Sequence, residues 1–68
     1  MKDYVERMFV EFKELQTKCE KLDAFINGNE VFKTLSEEKQ ELMKLQLHAM
    51  SAYLYALNKR IELEEKED

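Results

Sequence analysis

Residues 36–65 read SEEKQELMKLQLHAMSAYLYALNKRIELEE and contain neither glycine nor proline. Apolar side chains recur there at alternating steps of four and three residues, which places one apolar stripe along a helix. That stripe is Met43, Leu47, Met50, Leu54, Leu57 and Ile61. Ser36 can cap the first turn, where the helix dipole also favours the negative charge of Glu37 and Glu38. The stretch predicts a helix over about residues 37–64, roughly 42 Å long, whose stripe needs a partner.

The beginning of the chain can supply that partner. Residues 2–26 carry a second stripe at the same spacing, made of Val5, Met8, Phe12, Leu15, Cys19, Leu22 and Ile26. Asp3 is a candidate N-cap, and Glu6 completes a capping-box pattern. Gly28, the single glycine, is placed to end this helix in the left-handed conformation. The pattern therefore predicts a helix over about residues 2–26.

Residues 27–35 form the predicted turn, which can include a short helical turn from Asn29, with Phe32 and Leu35 folding down to close its end. Because the link is short, the two long helices should be antiparallel neighbours. Pairing them about the turn sets Leu15 near Leu47 and Cys19 near Met43, and it also sets Phe12 near Met50 and Val5 near Leu57. Leu15, Leu47 and Met50 are expected to be buried, and the acidic tail after Ile61 is expected to fray. The prediction is an all-α protein, a single helical-hairpin domain over residues 1–68.

Length and composition exclude several classes of protein. A chain of 68 residues with one cysteine buries little surface on its own and has no disulfide framework. A lone thiol suits a reducing cytosol, so a cytoplasmic location is expected. The net charge of −4 argues against binding to a nucleic acid polymer, which needs cations against phosphates. No apolar run approaches the ~18 residues of a membrane span, so no membrane partner is expected.

More apolar surface is present than two helices need. The second helix carries a further apolar face of Leu42, Leu45, Ala49, Ala52, Tyr53 and Ala56, and the first helix adds Phe9 and Val10. Large exposed apolar patches usually mark an interface, and the alanines would let another helix approach closely. We therefore expect a homo-oligomer, an oligomeric helical bundle assembled from several antiparallel two-helix hairpins.

Nothing in the sequence indicates catalysis. His48 and Cys19 are the only histidine and cysteine, so a two-histidine metal site is excluded. Cys19 lies on the apolar stripe, where a small buried hydrophobe is expected rather than a nucleophile. No glycine-rich loop can cradle a phosphate. The sequence predicts neither an enzyme nor a cofactor or metal site, and binding is left as the function.

The candidate binding residues are aromatic and cationic side chains outside the apolar stripes. An exposed aromatic ring beside a cation can stack a nucleobase, and paired lysines can hold a phosphate. Three such groups are present, each of which can equally be an ordinary charged surface: Tyr4 with Arg7, Lys18 with Lys21, and Tyr53 with Asn58 and Arg60.

A pattern that spans nearly the whole chain resembles the phage anti-CBASS cyclic-nucleotide sponges. Their helical hairpin is also similar to one in the anti-Thoeris sponges, which capture a cyclic ADP-ribose-type signal. The residues that carry the resemblance are Tyr4, Arg7, Glu11, Leu15, Lys18, Lys21, Leu22, Phe25, Ile26, Phe32, Leu35, Gln40, Leu42, Gln46, Leu47, Met50, Tyr53, Leu57, Arg60 and Ile61. This chain departs from the larger sponges because almost nothing precedes Tyr4.

The resemblance implies a function. It implies a homohexamer that holds cyclic di- or trinucleotides between protomers without cleaving them, in the host cytoplasm if a phage encodes it. Tyr4 matches the family tyrosine that stacks on a base. Lys18, with Lys21 as the alternative, matches the lysine that meets a phosphate, and Arg60 could belong to a second pocket. The competing hypothesis is a small helical module that binds another protein through its surplus apolar face.

Overall fold

The computed structural model describes residues 2–67. These residues form α1 (Asp3–Gly28), a short α2 (Glu30–Thr34) and α3 (Glu37–Glu67), with no strand among them. The all-α prediction is confirmed. The short helix α2 fills most of the stretch that was predicted as a turn.

The start of α1 differs from the capping-box prediction. Lys2 is the residue before the helix, and its carbonyl accepts from the backbone N–H groups of Val5 and Glu6. Asp3 lies inside the first turn, and no side chain caps it. The prediction that Asp3 is the N-cap was therefore wrong, although Asp3 and Glu6 still place negative charge at the positive end of the dipole.

The end of α1 is set by Asn29 rather than by a left-handed glycine. Gly28 is the last helical residue, and no described residue has a positive φ. Asn29 takes an extended conformation, with φ −104° and ψ 126°, and its side chain accepts from the backbone N–H of Val31 at 2.8 Å. The left-handed prediction for Gly28 was wrong because the next residue leaves the helix to cap α2.

The start of α3 follows the sequence prediction. The Ser36 hydroxyl oxygen accepts from the backbone N–H of Lys39 at 3.2 Å. Glu37 and Glu38 occupy the first turn. The Gln40 side chain also donates to the carbonyl of Leu35 at 2.8 Å, so the entry into α3 is held by two side chains.

The acidic end of α3 is helical rather than frayed. The helix continues to Glu67, three residues beyond the predicted end at residue 64; Asp68, which belongs to the same predicted tail, lies outside the described residues. Lys59 pairs with Glu62 at 3.3 Å, and Glu64 is bonded to α1 through the Tyr4 hydroxyl. These contacts compensate acid at the negative end of the helix dipole.

The two long helices pack along each other from end to end. Near the start of α1, Met8 lies in a buried cluster with Leu57 and Ile61 of α3. Near its other end, Ile26 lines a groove with Lys44. The resulting rod measures 49 × 15 × 14 Å, which leaves it only two helices thick.

Burial follows both predicted stripes, with its maximum away from the middle. No residue of either stripe is exposed, and the buried members are Val5, Met8, Cys19, Leu57 and Ile61. The expectation that Leu15, Leu47 and Met50 are buried was wrong, because all three are half-buried. A residue in the middle of a two-helix rod meets one neighbouring helix only, whereas Phe9 and Phe12 cover the cluster around Met8.

The pairing of the helices is shifted by one turn from the prediction. Cys19 lines a groove with Leu47, four residues beyond the expected Met43, and Met8 rather than Val5 joins the cluster around Leu57. The cause is that α1 runs to Gly28 rather than Ile26 and is followed by α2, which moves the midpoint of the turn along the chain.

The connection closes one end of the core as expected. Phe32 on α2 is buried, and its ring meets that of Phe25 edge-on, with centroids 6.0 Å apart. Leu35 is half-buried beside it. The short helix therefore carries the apolar cap that the sequence assigned to this segment.

Leu57→Ala should destabilise the fold by about 2–5 kcal/mol, since the leucine is 1% exposed and its loss leaves a cavity beside Met8. Leu47→Ala should cost clearly less, because that side chain is only half-buried. Urea unfolding of the two variants measures the difference. Equal losses would contradict a core whose most buried part surrounds Leu57.

Candidate functional site

The α1–α3 pair has two broad surfaces, and each surface carries its own groove between the helices. Lys18 of α1 and Tyr53 of α3 line a groove on one surface, which we call the site face. Cys19 and Asp23 line a groove with Ser51 on the other, which we call the opposite face. Because helical residues three and four apart share one side, the remaining candidates can be placed on these two surfaces.

All six candidate binding residues belong to the site face. On α1 they are separated by combinations of three- and four-residue steps beside the apolar stripe; on α3 they fall seven residues apart, on the corresponding side of that helix. Every one of them is exposed. The set is Tyr4, Arg7, Lys18, Lys21, Tyr53 and Arg60. The sequence treated them as three separate groups, and the packing of the helices assigns them to one surface.

Lys18 and Tyr53 come together across the two helices. They line an open groove of about 180 Å³ with Glu11, Glu14 and Leu15. The sequence assigned the lysine and the tyrosine to different groups, because they are distant in the chain. An aromatic ring and an ammonium group in one groove can receive a base and a phosphate of one nucleotide.

Lys18 and Lys21 also share a groove along α1. It has a volume of about 380 Å³ and is also lined by Lys13, Glu14 and Thr17. Lys13 was not among the sequence candidates. The signal was available, since residues 13, 17 and 21 are spaced by four and lie on one side of a helix.

Arg7 and Arg60 lie at the same level of the two helices. Met8 packs against Leu57 and Ile61, and each arginine directly precedes one of these residues on the site face. Both side chains are exposed. Two guanidinium groups on one surface near Tyr4 form a second place where phosphate can be paired.

Tyr4 is held by residues that the sequence did not indicate. Its hydroxyl donates to Glu64 Oε2 at 2.5 Å and accepts from Lys2 Nζ at 3.3 Å. Lys2 Nζ also lies 5.6 Å from the centre of the Tyr4 ring and 3.9 Å from Glu64 Oε2. Only the pairing of the start of α1 with the end of α3 brings Glu64 to this position, and the expected fraying of this end concealed it.

The surroundings raise the pKa of Tyr4. The main cause is the hydrogen bond to Glu64, because a carboxylate accepts from the neutral phenol and opposes the phenolate. The hydrogen bond from Lys2 acts in the opposite direction and is weaker. At neutral pH the Tyr4 hydroxyl is therefore a donor to Glu64.

Tyr4 and Lys18 are not brought together within one chain. They are 14 residues apart on α1, which corresponds to about 21 Å along the helix. A base and its nearest phosphate are much closer than that. Tyr4 lies near the two arginines, whereas Lys18 lies beside Tyr53, so one chain presents two separate groups on its site face.

Much of the surplus apolar surface lies on the same side. Leu42 and Tyr53 are 57% and 49% exposed there, beside exposed Ala49 and Ala56, and exposed Leu45 and Ala52 adjoin them on the side of α3 away from α1. Phe9 does not belong to this surplus, because it is half-buried against the cluster around Met8. Within the described part of the chain, the apolar face of α3 therefore adjoins the candidate binding residues.

Residues 2–67 offer neither a metal centre nor a membrane span. No group of three or more histidine, cysteine or acidic side chains among them could hold a metal ion. No helix in this range is long and apolar enough to cross a bilayer.

Comparison with protein families gives a match over nearly the whole chain. The Sequestin family profile matches residues 2–63, a range that includes all six candidate binding residues. The chain belongs to the Sequestin family, whose name indicates a sequestering function and agrees with the resemblance to sponge proteins. Comparisons with curated proteins and with solved structures gave no match.

Titration should show that the Tyr4 hydroxyl has a raised pKa. Ultraviolet absorbance of phenolate will identify Tyr4 as the transition lost in Tyr4→Phe, and Glu64→Gln should move that transition towards the usual value of about 10. Because the pKa is raised on folding, the stability from this contact is present below pH ~10 and is lost as pH rises through the folded-state pKa. Identical titrations of wild type and Glu64→Gln would contradict the assigned contact.

Proposed function

We propose that this protein is a phage-type sponge, which binds and sequesters cyclic di- or trinucleotide immune signals and thereby blocks host anti-phage signalling. The observation that carries the proposal is the site face, where two tyrosines and four cations lie beside an apolar surface. Membership of the Sequestin family supports the sequestering role.

The six candidate residues fall into two groups, one that would stack on bases and one that would pair with phosphates. The rings of Tyr4 and Tyr53, which are 43% and 49% exposed, offer stacking surfaces for bases. Lys18, Lys21, Arg7 and Arg60 offer charge-assisted hydrogen bonds to phosphates. Capture is stoichiometric and returns the ligand intact, since the proposed contacts stack and pair without attacking a phosphodiester.

The separation of Tyr4 and Lys18 favours a site shared between chains. In one chain they lie about 21 Å apart, too far to serve one base and its own phosphate. In the proposed assembly, each chain is an antiparallel helical hairpin, and neighbouring hairpins bring the tyrosine group of one chain to the lysine group of another. A homohexamer is the assembly that the resemblance to the sponges implies.

The exposed apolar face supplies the contact for this assembly. Leu42, Ala49 and Ala56 lie on the site face of α3, and Leu45 and Ala52 adjoin them on the side of the helix away from α1. All five are exposed in the single chain. Burying them between chains would remove apolar surface from water at about 25 cal/mol per Å². The same burial would dry the clefts and strengthen the pairing of cations with phosphates.

A second function draws on the same apolar face. A helical module that binds another protein would use Leu42, Leu45 and Ala49, whose exposure is as suitable for a foreign helix as for a second copy. Such a module would depend on these apolar side chains. The sponge would depend on Tyr4, Lys18 and Arg60 as well.

Light scattering should show a homo-oligomer, with a hexamer as the expected mass, at micromolar concentration. Ala56→Glu should break the assembly, because the interface would then contain an unpaired charge at a cost of several kcal/mol. Ser51→Glu is the matched control: it adds the same charge to α3, but Ser51 lines the groove on the opposite face. A single species near 8.2 kDa for the wild-type protein would contradict the proposed assembly.

Calorimetry against cyclic di- and trinucleotides and cyclic ADP-ribose isomers should identify a ligand that is recovered intact after denaturation. Tyr4→Ala should weaken binding by about tenfold to a hundredfold through lost stacking. Lys18→Ala should weaken it by about 1.5–3 kcal/mol through a lost phosphate contact.

Lys44→Ala provides the control for that experiment, because it removes an exposed cation from the opposite face and should leave the affinity unchanged. All variants must first be shown to keep the wild-type mass. Unchanged affinity in Tyr4→Ala and Lys18→Ala would remove these residues from the site. If the wild-type protein binds none of this panel of cyclic nucleotides and cyclic ADP-ribose isomers, the sponge function is contradicted and the protein-binding module is favoured.

A further inference from the structure

Three side chains close a triangle where α1 begins and α3 ends. The Tyr4 hydroxyl donates to Glu64 Oε2 at 2.5 Å, Lys2 Nζ donates to the same hydroxyl at 3.3 Å, and Lys2 pairs with Glu64 at 3.9 Å. The triangle thus joins the two ends of the described chain. Tyr4 is the member of the triangle that the proposed site uses.

The triangle restrains the Tyr4 ring at its tip. The hydroxyl, at the tip of the side chain, is fixed by Glu64, which defines the direction in which the ring points. The ammonium of Lys2 lies 3.3 Å from the hydroxyl oxygen and 5.6 Å from the ring centre, so it contacts the hydroxyl end of the ring. Tyr4 remains 43% exposed, so a flat group can still reach the ring.

A stacking residue binds more tightly when its orientation is fixed beforehand, because ordering a free side chain on binding costs conformational entropy. Glu64 is half-buried and lies on a helix, which gives the anchor a rigid base. Its carboxylate is also paired with Lys2 Nζ at 3.9 Å, which helps to hold the anchor in place. A base that reaches Tyr4 therefore meets a ring whose direction is already set.

We infer that Glu64 is a positioning residue of the ligand site, which orients the Tyr4 ring for stacking. This inference rests on the proposed function, because it assigns Glu64 a part in nucleotide capture. Glu64 acts through Tyr4 and does not itself hold the ligand. Its removal should weaken binding only as far as the Tyr4 hydroxyl is needed.

A double-mutant cycle tests this dependence. The affinity of the panel nucleotide that binds wild type most tightly is measured by calorimetry for Tyr4→Phe, Glu64→Ala and the double variant. Each single change should weaken binding about three- to tenfold, the equivalent of one net hydrogen bond. The double variant should be no weaker than the weaker single variant, because both changes break one contact. Losses that multiply, or an unchanged affinity in Glu64→Ala, would overturn the inference.

Two further variants separate positioning from a purely structural role. Glu64→Gln keeps a carbonyl acceptor for the Tyr4 hydroxyl, so it should recover most of the affinity lost in Glu64→Ala. Glu62→Ala removes a nearby carboxylate whose partner is Lys59, and it should bind like wild type. Equal weakening in Glu64→Gln and Glu64→Ala, or weakening in Glu62→Ala, would show a general effect of the end of α3 and would contradict the positioning role.

The outcomes for the inference and for the proposed function remain distinct. If the wild-type protein binds no nucleotide of the panel, the proposed function and the role of Glu64 are both contradicted. If it binds, but Tyr4→Phe and Glu64→Ala lower the affinity independently, only the role of Glu64 is contradicted and the sponge function stands.

Discussion

The apolar contact of Met8 with Leu57 and Ile61 sets how α1 and α3 lie against each other. Burying side chains of this size contributes about 1.5–3 kcal/mol each, and few other buried residues are described in the chain. The register fixed by this contact places Arg60 level with Arg7 and Glu64 beside Tyr4. Further along the rod, the same register puts Lys18 in a groove with Tyr53. The candidate site is a consequence of that pairing.

A rod only two helices thick cannot cover all its apolar side chains. Much of the surplus lies on the side of α3 that also carries the candidate binding residues, although Tyr55 is exposed on the other side. In the proposed sponge, the chains that bury this surplus also bring Tyr4 of one molecule towards Lys18 of another. Assembly and capture would then depend on one surface, which accounts for the division of the binding groups between two distant parts of α1.

The sequence predicted the parts of the fold that follow from helical periodicity. Both apolar stripes, the Ser36 cap and the closing Phe32 are confirmed. The shift of one turn between the helices was not predictable, because it depends on where Asn29 ends α1, and a cap for a short following helix competes with a glycine. The missed contacts between site residues have the same origin: Glu64 meets Tyr4, and Tyr53 meets Lys18, only in the observed pairing.

The central claim, that assembled chains hold an intact cyclic nucleotide, is tested most directly by native mass spectrometry with each cyclic nucleotide of the panel. The account predicts an oligomer, six chains in the proposed form, whose mass increases by whole numbers of ligand molecules. Collisional release should then return a ligand of unchanged mass. A spectrum that shows only single chains of 8.2 kDa, an oligomer without ligand for every compound, or a released ligand of altered mass would contradict it.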